Sequence, residues 1–191
     1  MDELAALRAA IDLVQVPSRV RHARADPLPG GVELLLRVAA GEPDALRMAG
    51  ESTSREPAFL RTAAAFFIEQ VLLAPGADSY RVLGASPTAT STDLRRNMAL
   101  LLRWLHPDIE PTGERSVLAS RVTSAWEDLK TTTRRATYDG SLTEAVRADA
   151  PGHPRDNRLG GRSRGIAQAA DLRNGKQSLR RIVRKLLLRD N

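Results

Sequence analysis

The sequence has 191 residues, of which 42% are hydrophobic and 4% aromatic, and it contains no cysteine. This composition suffices for folded domains, excludes disulfide bonds and thiolate metal sites, and favours helical cores, because alanine, leucine and arginine dominate. The histidines, His22, His106 and His153, do not have the spacing of metal ligands. We therefore expect neither a metal ion nor a cofactor.

The net charge of +6 is concentrated towards the C-terminus. Residues 151–191 contain 11 Lys or Arg and 3 Asp, whereas residues 1–150 contain 18 basic and 20 acidic side chains. This asymmetry predicts an interaction segment attached to nearly neutral folded material. The first residues do not resemble a signal peptide, and no apolar run approaches the roughly 20 residues that span a bilayer. We expect a cytoplasmic protein.

The first third of the chain is predicted to form short helices separated by proline and glycine. In EPDALRMA and EPAFLRTA, proline stands at a first helical position, where its missing N–H costs nothing, and an acidic residue precedes it. The second of these helices is predicted to continue through an apolar stretch to about Leu73. The predicted helices cover residues 2–15, 32–40, 42–49 and 56–73.

Two less regular segments complete this part of the chain. Residues 17–31, PSRVRHARADPLPGG, are predicted to be an irregular connector because proline, glycine and charged residues dominate them. Residues 74–79, APGADS, have the composition of a boundary between domains. We therefore predict an N-terminal helical domain at residues 1–74, for which no family resemblance is apparent.

Two amphipathic helices follow, at about residues 92–105 and 116–130. Thr90 and Asp93 have the spacing of a capping box before the first helix. Each helix has an apolar stripe at 3.6-residue periodicity, and the two stripes are predicted to bury each other in an antiparallel hairpin. We therefore predict an all-α fold. The stripes comprise Leu94, Met98, Leu101, Leu102 and Leu105 in the first helix and Leu118, Val122, Ala125, Trp126 and Leu129 in the second.

The loop between these helices begins with His106, Pro107 and Asp108. Proline disfavours helical geometry in the residue before it, so we expect His106 to leave the helix and the loop to be stiff. An imidazole and a carboxylate then project from the tip of the hairpin. Taken alone, the tripeptide is equally consistent with a helix stop in which the aspartate caps the next turn.

Four motifs together resemble the J domain of the DnaJ co-chaperone family. They are the Tyr-x-x-Leu-Gly pattern at residues 80–84, RWLHPD at 103–108, RVTSAWEDLK at 121–130 and RRATYDG at 134–140. The resemblance covers about residues 78–142. It implies structural roles for Tyr80, Leu83, Gly84, Leu94, Met98, Leu101, Leu105, Val122, Ala125, Trp126, Leu129, Arg135, Tyr138 and Asp139.

The resemblance implies a non-enzymatic binding module that docks on a DnaK-type heat-shock ATPase, stimulates its ATP hydrolysis and has no small-molecule substrate. The flanking regions would direct the choice of client or location. Basic side chains would attract an acidic partner surface, and the rigid tip would supply short-range specificity. The implied chaperone-binding residues are His106, Pro107, Asp108, Arg95, Arg96 and Arg103.

The chain departs from the family pattern along the first helix of the hairpin. The family usually has tyrosine at the position of Met98, and basic residues at the positions of Ala99, Leu100 and Trp104. Leu100 and Trp104 lie beside the predicted core stripe, so in an isolated J domain we expect them to face water. We predict that they form a contact site for the N-terminal domain or the tail; the alternative is a locally widened core.

The last two segments are predicted to be a flexible linker at residues 143–171 and a basic amphipathic helix at residues 172–191. Such a helix suits an anionic membrane, nucleic acid, a partner protein or the protein's own core. An alternative function is therefore a J-like scaffold without ATPase stimulation that binds nucleic acid or a membrane surface through the tail. The basic residues of this helix are Arg180, Arg181, Arg184, Lys185 and Arg189.

Overall fold

The structure is a computed structural model that describes residues 2–106 and 113–149. Within these two ranges the regular structure consists of nine α-helices, a 3₁₀ turn and a π-helical segment, with no strand, and the predicted all-α fold is confirmed. The described residues belong to one compact unit, Met1–Ala150. The predicted linker beyond residue 149 and the tail helix at 172–191 lie outside the described residues.

The first five helices form a bundle with an apolar core. Helix α5 lies at its centre, with α1, α3 and α4 packed against it, and it continues directly into the π-helical segment Ile68–Leu72. Leu60, Phe66 and Phe67 of α5 are buried. The helices are α1 (Ala5–Gln15), α2 (Val20–Ala25), α3 (Val32–Ala39), α4 (Pro43–Thr53) and α5 (Pro57–Phe67).

The prolines at the starts of α4 and α5 occupy the first helical turn, as predicted. The irregular connector predicted at residues 17–31 is wrong in its first half, because a 3₁₀ turn, Pro17–Arg19, leads directly into α2. No residue of α2 is buried, so the helix does not need a regular apolar stripe. Without such a stripe the sequence gives no periodic signal that predicts a helix here. Long-range hydrogen bonds hold it instead: the Arg24 side chain donates to the carbonyl oxygen of Gln70.

A close backbone crossing fixes the start of α3 against the N-terminal segment. Gly31 has φ +78°, and a Cβ atom there would lie 1.8 Å from the carbonyl oxygen of Glu3. The Ala6 amide donates a hydrogen bond of 2.9 Å to the carbonyl oxygen of Gly30. Only glycine combines this conformation with so close an approach, so Gly31 determines how α1 lies on α3.

The remaining four helices have the arrangement that the hairpin prediction describes. Helices α7 and α8 pack against each other, and α6 and α9 pack on α8. Helix α7 also packs against α3, so the segment before residue 74 and the segment after residue 78 are in direct contact. The helices are α6 (Ser79–Val82), α7 (Ser91–Trp104), α8 (Gly113–Leu129) and α9 (Thr132–Asp149).

The structure confirms the predicted start of α7 and corrects the predicted end of the helical region. The capping box at α7 is confirmed: the Thr90 hydroxyl accepts from the Asp93 amide, and the Thr90 amide donates to the Asp93 carboxylate. At the far end, α9 continues to Asp149, so the linker predicted from residue 143 is helical in its first part. The correction has a local reason, since residues 143–149 contain neither proline nor glycine.

Candidate interaction surface on helix α7

Helix α7 carries three of the six residues to which the sequence assigns chaperone binding. Arg95, Arg96 and Arg103 are exposed on it, and His106 follows it as an exposed residue. The other two residues of the tip motif, Pro107 and Asp108, lie outside the described residues. The geometry of the tip is therefore described only up to His106.

Two of the three arginines form ion pairs with the N-terminal helices. Arg96 donates to the Glu33 carboxylate of α3 at 2.9 Å, and Arg103 lies 3.5 Å from the Glu42 carboxylate, which directly precedes α4. Glu42 also accepts from Arg37, and chiefly this hydrogen bond raises the pKa of the Arg37 guanidinium. The sequence provided no signal for these pairings, because the acids and arginines are some 60 residues apart in the chain.

Arg95 differs from its two neighbours. It is exposed, and within residues 2–106 and 113–149 it has no ion pair. By the 3.6-residue repeat it lies about 100° around the helix axis from Arg96 and about 80° from Arg103. Of the three predicted chaperone-binding arginines, Arg95 thus presents the guanidinium with the fewest contacts inside the protein.

The buried part of α7 is wider than the predicted stripe and is displaced to one side. Asn97, Leu100 and Trp104 are 6%, 8% and 5% exposed, whereas Met98 and Leu102, which the stripe includes, are only half-buried. The two predicted contact residues, Leu100 and Trp104, are therefore covered in the full chain. Because α7 packs against α3 as well as α8, we infer that α3 covers this second side.

Asn97 has a clear structural role that the sequence analysis missed. Its side-chain nitrogen donates to the carbonyl oxygens of Leu83 and Gly84, at 3.0 and 3.2 Å. These bonds satisfy a buried amide and join α7 to the end of α6. From sequence alone, an asparagine in the middle of an amphipathic helix is predicted to be exposed. The structural role of Asn97 is therefore evident only from its burial in the structure.

Gly84 is the point where the N-terminal helices meet the Tyr-x-x-Leu-Gly motif. It has φ +62°, and a Cβ atom there would lie 2.7 Å from Cγ1 of Val32 and 3.4 Å from Cδ1 of Leu72. The glycine thus ends α6 in a left-handed conformation and also makes room for α3. Any side chain at this position would push the two parts of the molecule apart.

A polar network closes the far end of the hairpin. The Tyr80 hydroxyl donates to Asp139 at 2.7 Å and accepts from Nε of Arg135 at 2.9 Å. The Ser79 amide donates to the Tyr138 hydroxyl at 2.7 Å. Burial, followed by the hydrogen bond to Asp139, raises the pKa of Tyr80. The Arg-x-x-Tyr-Asp motif of α9 and the tyrosine of α6 therefore act together.

Arg135 extends this network to the loop before α7. Its two terminal nitrogens donate to the carbonyl oxygens of Ala89 and Pro87, at 2.9 and 2.7 Å. Its guanidinium also lies 5.2 Å from the centre of the Tyr80 ring. One side chain thus satisfies two loop carbonyls and one tyrosine, which explains why an arginine, with its five donors, stands here.

Comparison with known proteins finds two chaperone proteins that are similar to part of this chain. The sequence is 37% identical over 65 residues to "Chaperone protein dnaJ 50" of Arabidopsis thaliana and 36% identical over 63 residues to "Chaperone protein DnaJ" of Leifsonia xyli. These matches cover 34% and 33% of this chain. About a third of the chain is therefore similar to chaperone proteins of the DnaJ type, which supports the J-domain resemblance of residues 78–142.

The similarity covers only part of this chain and a smaller part of each relative. The matched segments amount to 22% and 17% of the two relatives, so the chain spans only about a fifth of the length of the curated relatives it matches. No protein-family model matches the sequence, and no solved structure does.

Two arginines of α8, Arg115 near its start and Arg121 in its middle, bind backbone carbonyl groups of other segments. The Arg115 side chain donates to the carbonyl oxygen of Trp104 at 2.6 Å, and its guanidinium lies 5.1 Å from the centre of the Trp104 ring. Arg121 donates to the carbonyl oxygens of Leu73 and Ala74 at the end of the N-terminal bundle. Arg115 thereby supports the last turn of α7, directly before His106.

The structure also places the remaining residues of the sequence-based assignments. Within α8, Val122, Ala125 and Leu129 are buried and Trp126 is half-buried. The basic residues assigned to the tail, Arg180 to Arg189, lie outside the described residues. In the part of the chain that the structure covers, no group of three or more metal-ligating side chains occurs, and no helix has the length and apolar character needed to cross a membrane.

Proposed function

We propose that the protein is a co-chaperone whose J domain binds a DnaK-type heat-shock ATPase and stimulates its ATP hydrolysis. The observation that carries the proposal is the exposure of His106 at the end of α7, in a chain of which about a third is similar to two chaperone proteins of the DnaJ type. The protein supplies no catalytic group in this proposal; the reaction takes place in the partner's active site.

The proposed contact surface combines the His-Pro-Asp motif with positive charge. His106, Pro107 and Asp108 make up this motif, and Arg115 supports the end of α7 directly before His106. Arg95, Arg96 and Arg103 supply positive charge along α7, which speeds encounter with an acidic surface. His106 and Asp108 act as hydrogen-bonding partners of the chaperone rather than as an acid–base pair.

A test is single-turnover ATP hydrolysis by a DnaK-type chaperone, with and without the full-length protein. We expect wild-type protein to accelerate hydrolysis and His106→Gln to remove the acceleration. Because His106 is exposed, the substitution should change the free energy of unfolding by no more than about 0.5 kcal/mol. His22→Gln is the matched control, since His22 is an exposed histidine of α2, and it should retain full stimulation.

Two results would contradict the proposal. The first is hydrolysis that wild-type protein leaves unchanged. The second is a His106→Gln variant that loses stimulation together with much of its stability, because His106 would then have a structural role.

The flanking regions are proposed to direct the co-chaperone. The N-terminal helices would bind a client or set its location. The +8 charge balance of residues 151–191 also supports a second candidate function, in which the chain is a J-like scaffold that binds nucleic acid or an anionic membrane surface through its tail.

Deletion of residues 172–191 distinguishes the two functions. If the tail carries only an additional contact, the deletion should abolish salt-sensitive binding to polyanions and leave ATPase stimulation intact. If the wild-type protein binds polyanions without stimulating ATP hydrolysis, the scaffold function is supported instead.

A further inference from the structure

The basic face of α7 already has acidic partners within the same chain. Arg96 pairs with Glu33 at 2.9 Å and Arg103 pairs with Glu42 at 3.5 Å. Both arginines remain about half exposed, so an external partner can reach them. An acidic surface that approaches α7 therefore meets guanidinium groups whose charge is partly neutralised by the protein itself.

The two acids cannot leave this face easily, because the packing beneath them is apolar. Leu100 and Trp104 of α7 are buried, α3 packs on α7, and Val32 of α3 lies against Gly84. Removing α3 would expose the apolar surface that it covers, which is unfavourable. The ion pairs, in contrast, are at the surface, where such pairs are individually weak and screened by salt.

These two properties favour direct competition for the arginines, with α3 staying in position, over displacement of α3 from α7. An acidic partner can take over Arg96 and Arg103 by displacing only the Glu33 and Glu42 side chains. It gains less from each contact than it would from a free arginine, since an existing pair is lost. Arg95, which has no ion pair within the described residues, offers a contact without this competition.

We propose that Glu33 and Glu42 are built-in competitors that weaken the binding of acidic partners to α7 and so set the specificity of the J domain. This inference rests on the proposed co-chaperone function and concerns the same surface. Partners whose acidic groups reach Arg95 are favoured, because they depend least on the arginines that the acids neutralise. The N-terminal helices thereby tune the J domain to which they are attached.

The test compares full-length wild-type protein with the double variant Glu33→Gln/Glu42→Gln. Equilibrium binding to an ATP-bound DnaK-type chaperone is measured at two salt concentrations, together with ATP hydrolysis. Loss of two surface ion pairs should tighten binding by about threefold to tenfold at low salt and by less at high salt.

A matched control has the same change of charge elsewhere. Asp44 and Glu51 of α4 both pair with Arg47 rather than with an arginine of α7. Asp44→Asn/Glu51→Gln should bind within about twofold of wild type, because its charges lie outside the proposed contact surface. A double-mutant cycle adds specificity: Arg96→Ala should weaken binding more in the Glu33→Gln background than in wild type.

Each outcome has a defined meaning. If wild type stimulates hydrolysis and the double variant binds no more tightly than the control, the competition is overturned and the co-chaperone function stands. If no variant and no wild-type protein binds the chaperone, the proposed function fails and this inference fails with it. Since Glu42 also binds Arg37, Glu33→Gln alone, with its melting temperature, serves if the double variant unfolds.

Discussion

The helices before residue 74 and those after residue 78 differ in what stabilises them beyond their apolar cores. Among the residues that the structure describes, nine of the twelve largest fully buried side chains lie at or before Leu73, whereas Leu83, Leu94 and Leu101 lie in the J domain. The J domain adds to its buried stripes the hydrogen bonds among Tyr80, Arg135, Tyr138 and Asp139 and their partners. One part thus contains most of the apolar volume, and the other combines a smaller core with matched donors and acceptors.

This difference explains why only one of the two parts is recognisable from its sequence. Many combinations of apolar residues fill a helical core of a given volume, so such a core leaves a pattern but no motif. A polar network needs particular donors and acceptors at particular spacings. The N-terminal helices therefore carry no comparable motif, although they contribute most of the fully buried side chains among the described residues.

The largest effect is expected from Phe67→Ala in the N-terminal core. Phe67 is buried, and truncating a buried phenylalanine costs about 3–5 kcal/mol of unfolding free energy. If α3 and α7 couple the two parts, the J domain should lose stability as well. Urea unfolding followed by circular dichroism and by fluorescence tests this, because both tryptophans, Trp104 and Trp126, lie in the J domain.

Met48→Ala is the control, since Met48 is 38% exposed on α4 and should cost little. The two parts would be shown to be independent if Phe67→Ala lowered the circular dichroism midpoint and left the fluorescence midpoint at its wild-type value. Our comparison predicts a single transition seen by both probes.

A smaller effect is expected where the two parts meet, at Leu100. Leu100→Ala should cost about 2–4 kcal/mol, because the side chain is buried on the side of α7 that we assign to α3. Leu102→Ala, on the same helix, removes the same atoms from a half-buried position and should cost clearly less. Chemical unfolding of both variants gives the difference. Equal losses, or a larger loss at Leu102, would show that the predicted stripe describes the core better than the contact with α3.

The smallest effect concerns the polar network, through Tyr80→Phe. Loss of the hydroxyl removes one hydrogen bond to Asp139 and one from Arg135, and such a bond contributes about 1 kcal/mol. Arg135 keeps its two carbonyl partners, which limits the cost. The measurement is the difference in unfolding free energy at neutral pH. A cost as large as that of Phe67→Ala would mean that the two parts do not differ in the way described.

The same variant predicts a pH dependence. The pKa of Tyr80 is raised in the folded protein, so the folded state favours the protonated phenol. The stabilisation is fully present below the unfolded pKa of about 10 and is lost as the pH rises from there through the folded pKa. Wild type should therefore lose more stability than Tyr80→Phe between neutral and strongly alkaline pH. Parallel stability curves would refute this role of Tyr80.

Local patterns in the sequence determined much of this protein. Apolar periodicity, the Thr90–Asp93 capping box and the prolines that begin α4 and α5 are properties of neighbouring residues, and they specify helices without knowledge of the rest of the chain. The J-domain motifs are recognisable for the same reason, since their spacing is set within each helix.

Only the tertiary structure decided what depends on the docking of distant segments. The packing of α3 on α7 moves the buried side of α7 from Met98 and Leu102 towards Asn97, Leu100 and Trp104. The same packing brings Glu33 and Glu42 to the arginines of α7. A helical repeat identifies an apolar stripe, but the direction from which a second helix covers its edge depends on contacts some 60 residues away, and no local pattern encodes them.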